Sequence, residues 1–183
     1  MSRNIPGQFP PTVGFEAPLE MLSACHGRIE DQCATLRRLQ AHLADHGSDE
    51  QARAAAWALI RYFDLSAQQH HHDEEQDLFP ALVESIAGSD PMCLRELTWG
   101  LTAEHRELEG KWRHLRSVLT RVVEGERASL PPAEVEAFAG LYARHIKREE
   151  QELLPMAARL LCDDDLERIG RAMRERRGIA ALE

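Results

Sequence analysis

His70-His71-His72-Asp73-Glu74-Glu75-Gln76-Asp77-Leu78-Phe79-Pro80 aligns without gaps on His145-Ile146-Lys147-Arg148-Glu149-Glu150-Gln151-Glu152-Leu153-Leu154-Pro155. The shared pattern, H-x-x-x-E-E-Q-[DE]-L-[FL]-P, sets a histidine and a glutamate four residues apart. On an α-helix such residues lie one above the other on the same face, so both can reach a single site. Around the first copy, the inward face runs through Leu59, Phe63, Ala67, His70, Glu74, Leu78 and Leu82. Around the second it runs through Phe138, Tyr142, His145, Glu149, Leu153, Met156 and Leu160. Each copy therefore carries a histidine and a carboxylate into an apolar stripe.

Two further segments show the same helical period. Leu19, Leu22, His26, Ile29, Cys33, Leu36, Gln40 and Leu43 follow alternating steps of three and four, as do Thr98, Leu101, His105, Leu108, Trp112, Leu115, Leu119 and Val122. A histidine interrupts each stripe, and His26-Gly27-Arg28-Ile29-Glu30 matches His105-Arg106-Glu107-Leu108-Glu109 loosely. The chain thus reads as two helical hairpins, each supplying one histidine and then one H-x-x-x-E.

Turn-forming clusters at His46-Gly47-Ser48-Asp49, Ala87-Gly88-Ser89-Asp90-Pro91 and Gly125 to Pro132 separate four long helical segments. Asp90 and Pro91 suit the N-cap and first position of the third helix. Connections this short make consecutive helices antiparallel neighbours. The expected fold is all-α: an up-down-up-down four-helix bundle over residues 16–162, an extended N-terminal arm over 1–15, and a short C-terminal helix and tail over 163–183. That last helix starts at Cys162-Asp163-Asp164-Asp165, ends at Gly178 and is expected to pack against or cap the bundle. The six histidine and glutamate positions lie about 15 to 20 residues from the nearest turns, and at about 1.5 Å per residue they share one layer.

A chain of 183 residues with 43% hydrophobic and only 5% aromatic residues suits one helical domain. The formal charge of -9 argues against a phosphate-binding surface, so no nucleic-acid partner is expected. The basic run Arg168 to Arg177 is interleaved with acids and reads as a solvated helix face. No apolar run of about 18 residues is present, and the Pro- and Gly-rich residues 1–18 resemble neither a signal peptide nor an anchor. A cytoplasmic protein without a membrane partner is expected. Cys25, Cys33, Cys93 and Cys162 lack metal-site spacing and read as packed thiols.

Two carboxylates buried on facing helices repel one another and demand a cation between them. A pair of metal ions meets that demand, and imidazole with carboxylate favours iron or manganese over a thiolate zinc site. If both glutamates bridge, four histidines and one bridging oxygen bring the total to about ten of the twelve positions of two octahedral ions. About one open position per ion remains, as a site for a small ligand requires. Other histidines fall off the stripes. His71 and His72 point about 100° and 200° from His70 and are assigned to the surface or to support of the ligands; His42, His46 and His114 look solvated. Tyr142 reads as core, and Asp77 and Glu152 as at most supporting groups.

The order His, H-x-x-x-E, His, H-x-x-x-E, with E-E-Q-[DE]-L-[FL]-P completing each motif, resembles the HHE group of the hemerythrin-like superfamily over residues 16 to 162. The resemblance implies His26, His70, His105 and His145 as terminal metal ligands and Glu74 and Glu149 as bridging carboxylates. It also implies two iron ions joined by an oxo or hydroxo group, and a diatomic partner, dioxygen or nitric oxide. Oxygen-carrying members have a fifth histidine where this chain has Glu109. Glu109, and its counterpart Glu30, are therefore possible additional ligands. The leading expectation is a binding or sensing protein rather than an enzyme. The alternatives are a diiron enzyme or iron-centre repair protein acting under nitrosative or peroxide stress, and an iron buffer.

Overall fold

A computed structural model of the chain describes residues 14–86 and 92–179. Helix α1 spans Pro18–His46. The second rod comprises α2 (Glu50–Arg61), a π turn at Tyr62–Ser66, α3 (Ala67–Asp73), a π turn at Glu74–Leu78, and α4 (Phe79–Ser85). Helix α5 spans Met92–Val123. The fourth rod comprises α6 (Pro132–Arg148), a π turn at Glu149–Leu153 and α7 (Leu154–Leu160), and α8 follows at Asp163–Arg176. Among the described residues there is no strand, and α1 packs on α2, α2 on α5, α5 on α6 and α6 on α1. This closed ring of four rods is the expected up-down-up-down bundle. The proposed cap at Asp90-Pro91 and nearly all of the N-terminal arm lie outside the described residues.

Local chemistry sets the helix ends. Asp49 caps α2, its carboxylate accepting from the Ala52 amide at 2.8 Å. Gly47 closes α1 at φ 67°, a left-handed conformation that glycine adopts without steric cost. The π turns at the two motifs end two residues before Pro80 and Pro155. Proline brings no amide hydrogen and collides with the carbonyl four residues back, so the helix widens there. The closing bonds run from Phe79 N–H to the Glu74 carbonyl and from Leu154 N–H to the Glu149 carbonyl, each spanning five residues.

The apolar core is divided in two. One cluster gathers residues such as Ile29, Leu36, Leu59, Leu115 and Phe138, the other Leu22, Leu78, Leu101, Leu153 and Ile169. Between them lies a polar layer of His26, His70, His71, Glu74, His105, His145 and Glu149, all buried. Cys25 and Cys33 are packed thiols, whereas Cys93 and Cys162 are exposed; Cys162 stands at the N-cap of α8 and its thiol contacts Asp165.

Helix α8 packs on α1 and α3. A side chain at Gly170 would meet the Phe15 carbonyl oxygen at 1.9 Å, so glycine there permits the backbone at Phe15 to lie against α8. The guanidinium groups of Arg174 and Arg177 cover the Phe15 ring. The basic run is only partly a solvated face. Arg176 and Arg177 turn inward onto Asp73, which is fully buried, with Arg177 Nη2 donating to Asp73 Oδ2 at 2.6 Å. Arg176 also donates to Asp77 at 2.6 Å. The correction has a plain cause: a fully buried carboxylate on α3 requires paired donors, and the end of α8 supplies them.

Candidate metal centre

Each rod brings one of the four predicted ligand imidazoles into the polar layer, the second rod adding His71 as well, and the second and fourth rods add their glutamates one turn further on. The six predicted groups converge. His26, His70, Glu74 and Glu149 form one group whose potential ligand atoms lie within 4.8 Å of one another, and Glu74, His105, His145 and Glu149 form a second. The glutamates belong to both groups.

The way the carboxylates divide is informative. Glu74 turns Oε1 to His70 Nε2 at 3.4 Å and to His26 Nε2 at 3.9 Å, and Oε2 to His105 Nε2 at 3.4 Å. Glu149 turns Oε2 to His26 Nε2 at 3.1 Å and Oε1 to His145 Nε2 at 3.1 Å. Each carboxylate therefore faces one pair of histidines with one oxygen and the other pair with the second. Carboxylates so divided would reach a cation held at either pair.

Three of the four histidines are fixed from behind by acids. His26 Nδ1 bonds Glu150 at 2.5 Å, His105 Nδ1 bonds Glu75 at 2.7 Å, and His145 Nδ1 bonds Glu104 at 2.8 Å. A carboxylate accepts, so each Nδ1 donates, and in the neutral ring Nε2 is left with its lone pair facing the site. Such carboxylate-imidazole pairs orient metal ligands and raise their basicity. Glu75 and Glu104 are anchored in turn by Arg106 and Arg148.

The layer carries polar atoms that the protein leaves without partners. Both oxygens of Glu74 and of Glu149, both ring nitrogens of His70, and Nε2 of His26 and His71 are buried and accept or donate no hydrogen bond. Leaving so many polar atoms unpaired is costly, and for carboxylates the cost is larger still. Cations between them remove it. The 3.0 Å between His105 Nε2 and His145 Nε2 matches the roughly 3 Å expected of two imidazoles bound at right angles at about 2.1 Å from one ion. The residues present thus fit a pair of metal ions.

The electrostatics agree. Burial disfavours a charge on His26, yet Glu149 and Glu74 overcome it and raise its pKa to about 11. His105 is likewise raised to about 9, against burial, by Glu74 and Glu75. For His70 burial prevails and its pKa falls to about 4. Glu74 is held well below the usual carboxylate range despite its burial, chiefly by His70 and His105. The carboxylates thus stay charged and attract cations, whether protons or metals.

The two possible additional ligands do not enter either group. Glu30 is exposed, and Glu109, with its side chain 44% exposed, pairs with Arg106 at 2.7 Å. His42 binds Asp49, His114 and His72 are exposed, Glu152 is exposed, and Tyr142 is core, as expected. His71 is not on the surface: it is 5% exposed and stacks on His105 at 3.9 Å between centroids. A core-facing arc wider than one stripe accounts for this. Glu75, Glu104 and Glu150 were not singled out from sequence, although the second glutamate of each E-E pair was a repeated signal.

The sequence comparisons agree with the geometry. A relative from Haemophilus influenzae, described as an uncharacterized protein, is 32% identical over 165 residues, which cover 90% of this chain and 92% of the relative. The model of the family described as "Hemerythrin HHE cation binding domain" matches residues 17–157, the span that contains all six converging histidines and glutamates. The chain belongs to the hemerythrin HHE cation-binding family.

Proposed function

We propose that this protein is a non-haem diiron protein that binds dioxygen, or responds to oxygen, nitric oxide or redox state. His26, His70, His105 and His145 are the terminal ligands, and Glu74 and Glu149 are the bridges. The observation that carries this reading is the division of each buried, otherwise unpartnered carboxylate between two histidine pairs. When bound, two such ions supply reversible electron transfer and an open position for a diatomic ligand. The chain's own part is to orient the imidazoles through Glu75, Glu104 and Glu150. It also keeps bulk water out with leucine layers on both sides of the site.

Metal analysis of protein purified without chelators, then anaerobic reduction and exposure to air, tests this reading. About two irons per chain and a visible band that appears with oxygen and disappears on its removal support the carrier or sensor. Two irons that oxidise with no stable adduct move the function to a peroxide or nitric-oxide enzyme or a repair protein. The His70→Ala and Glu149→Ala variants should lose most of the metal and His42→Ala none; equal content in all three overturns the ligand assignment.

A further inference from the structure

The first H-x-x-x-E motif is gripped from outside the polar layer. Arg176, at the end of α8, donates to Asp77 at 2.6 Å and to Gln76 at 3.2 Å and also reaches Asp73, so one guanidinium spans the π turn at Glu74–Leu78. Arg177, the next residue, holds Asp73 with both arms of its fork: Nη1 donates to Oδ1 at 3.1 Å and Nη2 to Oδ2 at 2.6 Å. Nη1 also donates to the Met173 carbonyl at 2.8 Å, which fixes the fork to its own helix. Ile169 and Met173 of α8 share an apolar cluster with Leu78, the last residue of the turn. The second motif lacks this grip. Its aligned residues are Arg148, which bonds Glu104, and Gln151 and Glu152, which are exposed.

Asp73 and Glu74 are consecutive and fully buried, about 100° apart around the helix, with Asp73 meeting α8 and Glu74 facing the histidines. The Glu74 carboxylate accepts no hydrogen bond, so the backbone of the turn that carries it sets its direction. Resting on the reading of Glu74 as a metal ligand, we propose that Arg176 and Arg177 are positioning residues of the metal centre. By fixing Asp73 and Asp77 they set the rotation of the π turn that presents Glu74. Coupling between two binding events is reciprocal, so cations at the centre in turn hold the end of α8 on the bundle.

Cobalt(II) titration of the full chain, followed by absorption, tests the first statement. The double variant Arg176→Gln with Arg177→Gln should weaken cobalt binding by about 10- to 100-fold, the loss typical of removing an outer partner of a ligand. Leu119→Ala is the control for stability alone, because Leu119 is fully buried in the other apolar cluster, which contains no residue of α8. It should change cobalt affinity by less than about twofold. Hydrogen exchange tests the second statement and, in the wild type, needs no variant to fold. Amides of α8 that exchange faster than the core of α5 report local opening rather than global unfolding. Saturating cobalt should slow them by about fivefold or more in the wild type and leave them unchanged in Asp73→Asn. Unaltered affinity in the double variant, an equal loss in Leu119→Ala, or α8 exchange indifferent to cobalt in the wild type overturns the proposal and leaves the ligand set in place. A wild-type chain that binds no cobalt overturns the reading of Glu74 as well.

Discussion

The two halves of the metal centre are built from one motif, yet they are finished differently. At His26 and His105 the match is close: each receives a carboxylate from the second glutamate of the opposite hairpin's E-E pair, Glu150 for His26 and Glu75 for His105. The bonds cross between hairpins, so neither half is complete until both have docked. At His70 and His145 the halves diverge. His145 has Glu104 behind it; the aligned neighbour of His26 is Cys25, and His70 Nδ1 has no partner. Asp73 of the first motif draws in Arg176 and Arg177, whereas its counterpart Arg148 reaches out to Glu104. The repeat thus retains the groups facing the centre of the polar layer and varies those around them, so one pattern gives two histidine pairs in chemically distinct surroundings.

The largest effect should come from the groups shared by both halves. Glu74→Gln should abolish loading of both ions, whereas His145→Ala, like His70→Ala, should lose most of the metal but not all. Metal content per chain measures the difference, and one ion retained in Glu74→Gln would show that the carboxylate does not bridge. Next, Asp73→Ala leaves Arg177 without its carboxylate partner and Arg176 with Asp77 alone. Removing one partner of a buried ion pair typically costs 3–5 kcal/mol, and the low end, about 3 kcal/mol, applies here because the arginines keep some access to water. Urea unfolding of the metal-free protein measures it, and Glu152→Ala, at the exposed position aligned with Asp77, should change stability by less than about 0.5 kcal/mol.

A smaller effect is expected behind the ligands. Glu75→Gln and Glu150→Gln should each retain the fold and weaken metal binding by about 10- to 100-fold. Chelator competition should show the weaker step on opposite ions in the two variants. The metal-free protein should also show an asymmetric response to alkali. His26 and His105 have folded pKa values raised to about 11 and about 9, above the usual histidine value of 6.5. Their stabilisation is therefore complete below about pH 6.5, declines as pH rises, and is lost by about pH 9 for His105 and by about pH 11 for His26. Unfolding midpoints measured from pH 6 to 10 should fall more steeply up to about pH 9, where both histidines contribute, than above it, where His26 alone does, and His105→Gln should lessen the steeper part.

Much of the fold was legible because helical periodicity is local. Even the π turns left a trace: Leu59, Phe63 and Ala67 are separated by fours, as are His70, Glu74, Leu78 and Leu82, and a run of fours exceeds the 3.6 residues of an α-helical turn. The odd helices, with alternating threes and fours, run without such interruptions. Reading one stripe as the whole inward face leaves His71 for the surface or for support of the ligands, and of these the surface does not hold. In a bundle, the flank of a stripe meets the neighbouring helix.

By itself the sequence determined the number of helices, the register of the six inward groups and the demand for cations between two buried carboxylates, all consequences of spacing within single helices. Only the tertiary structure decided that Glu150 reaches His26 across 124 positions, that Arg176 and Arg177 close on Asp73, and that His71 joins the layer. These depend on how far each packed helix is rotated about its axis. That rotation is set by the contacts of all its neighbours together, and no local pattern encodes it.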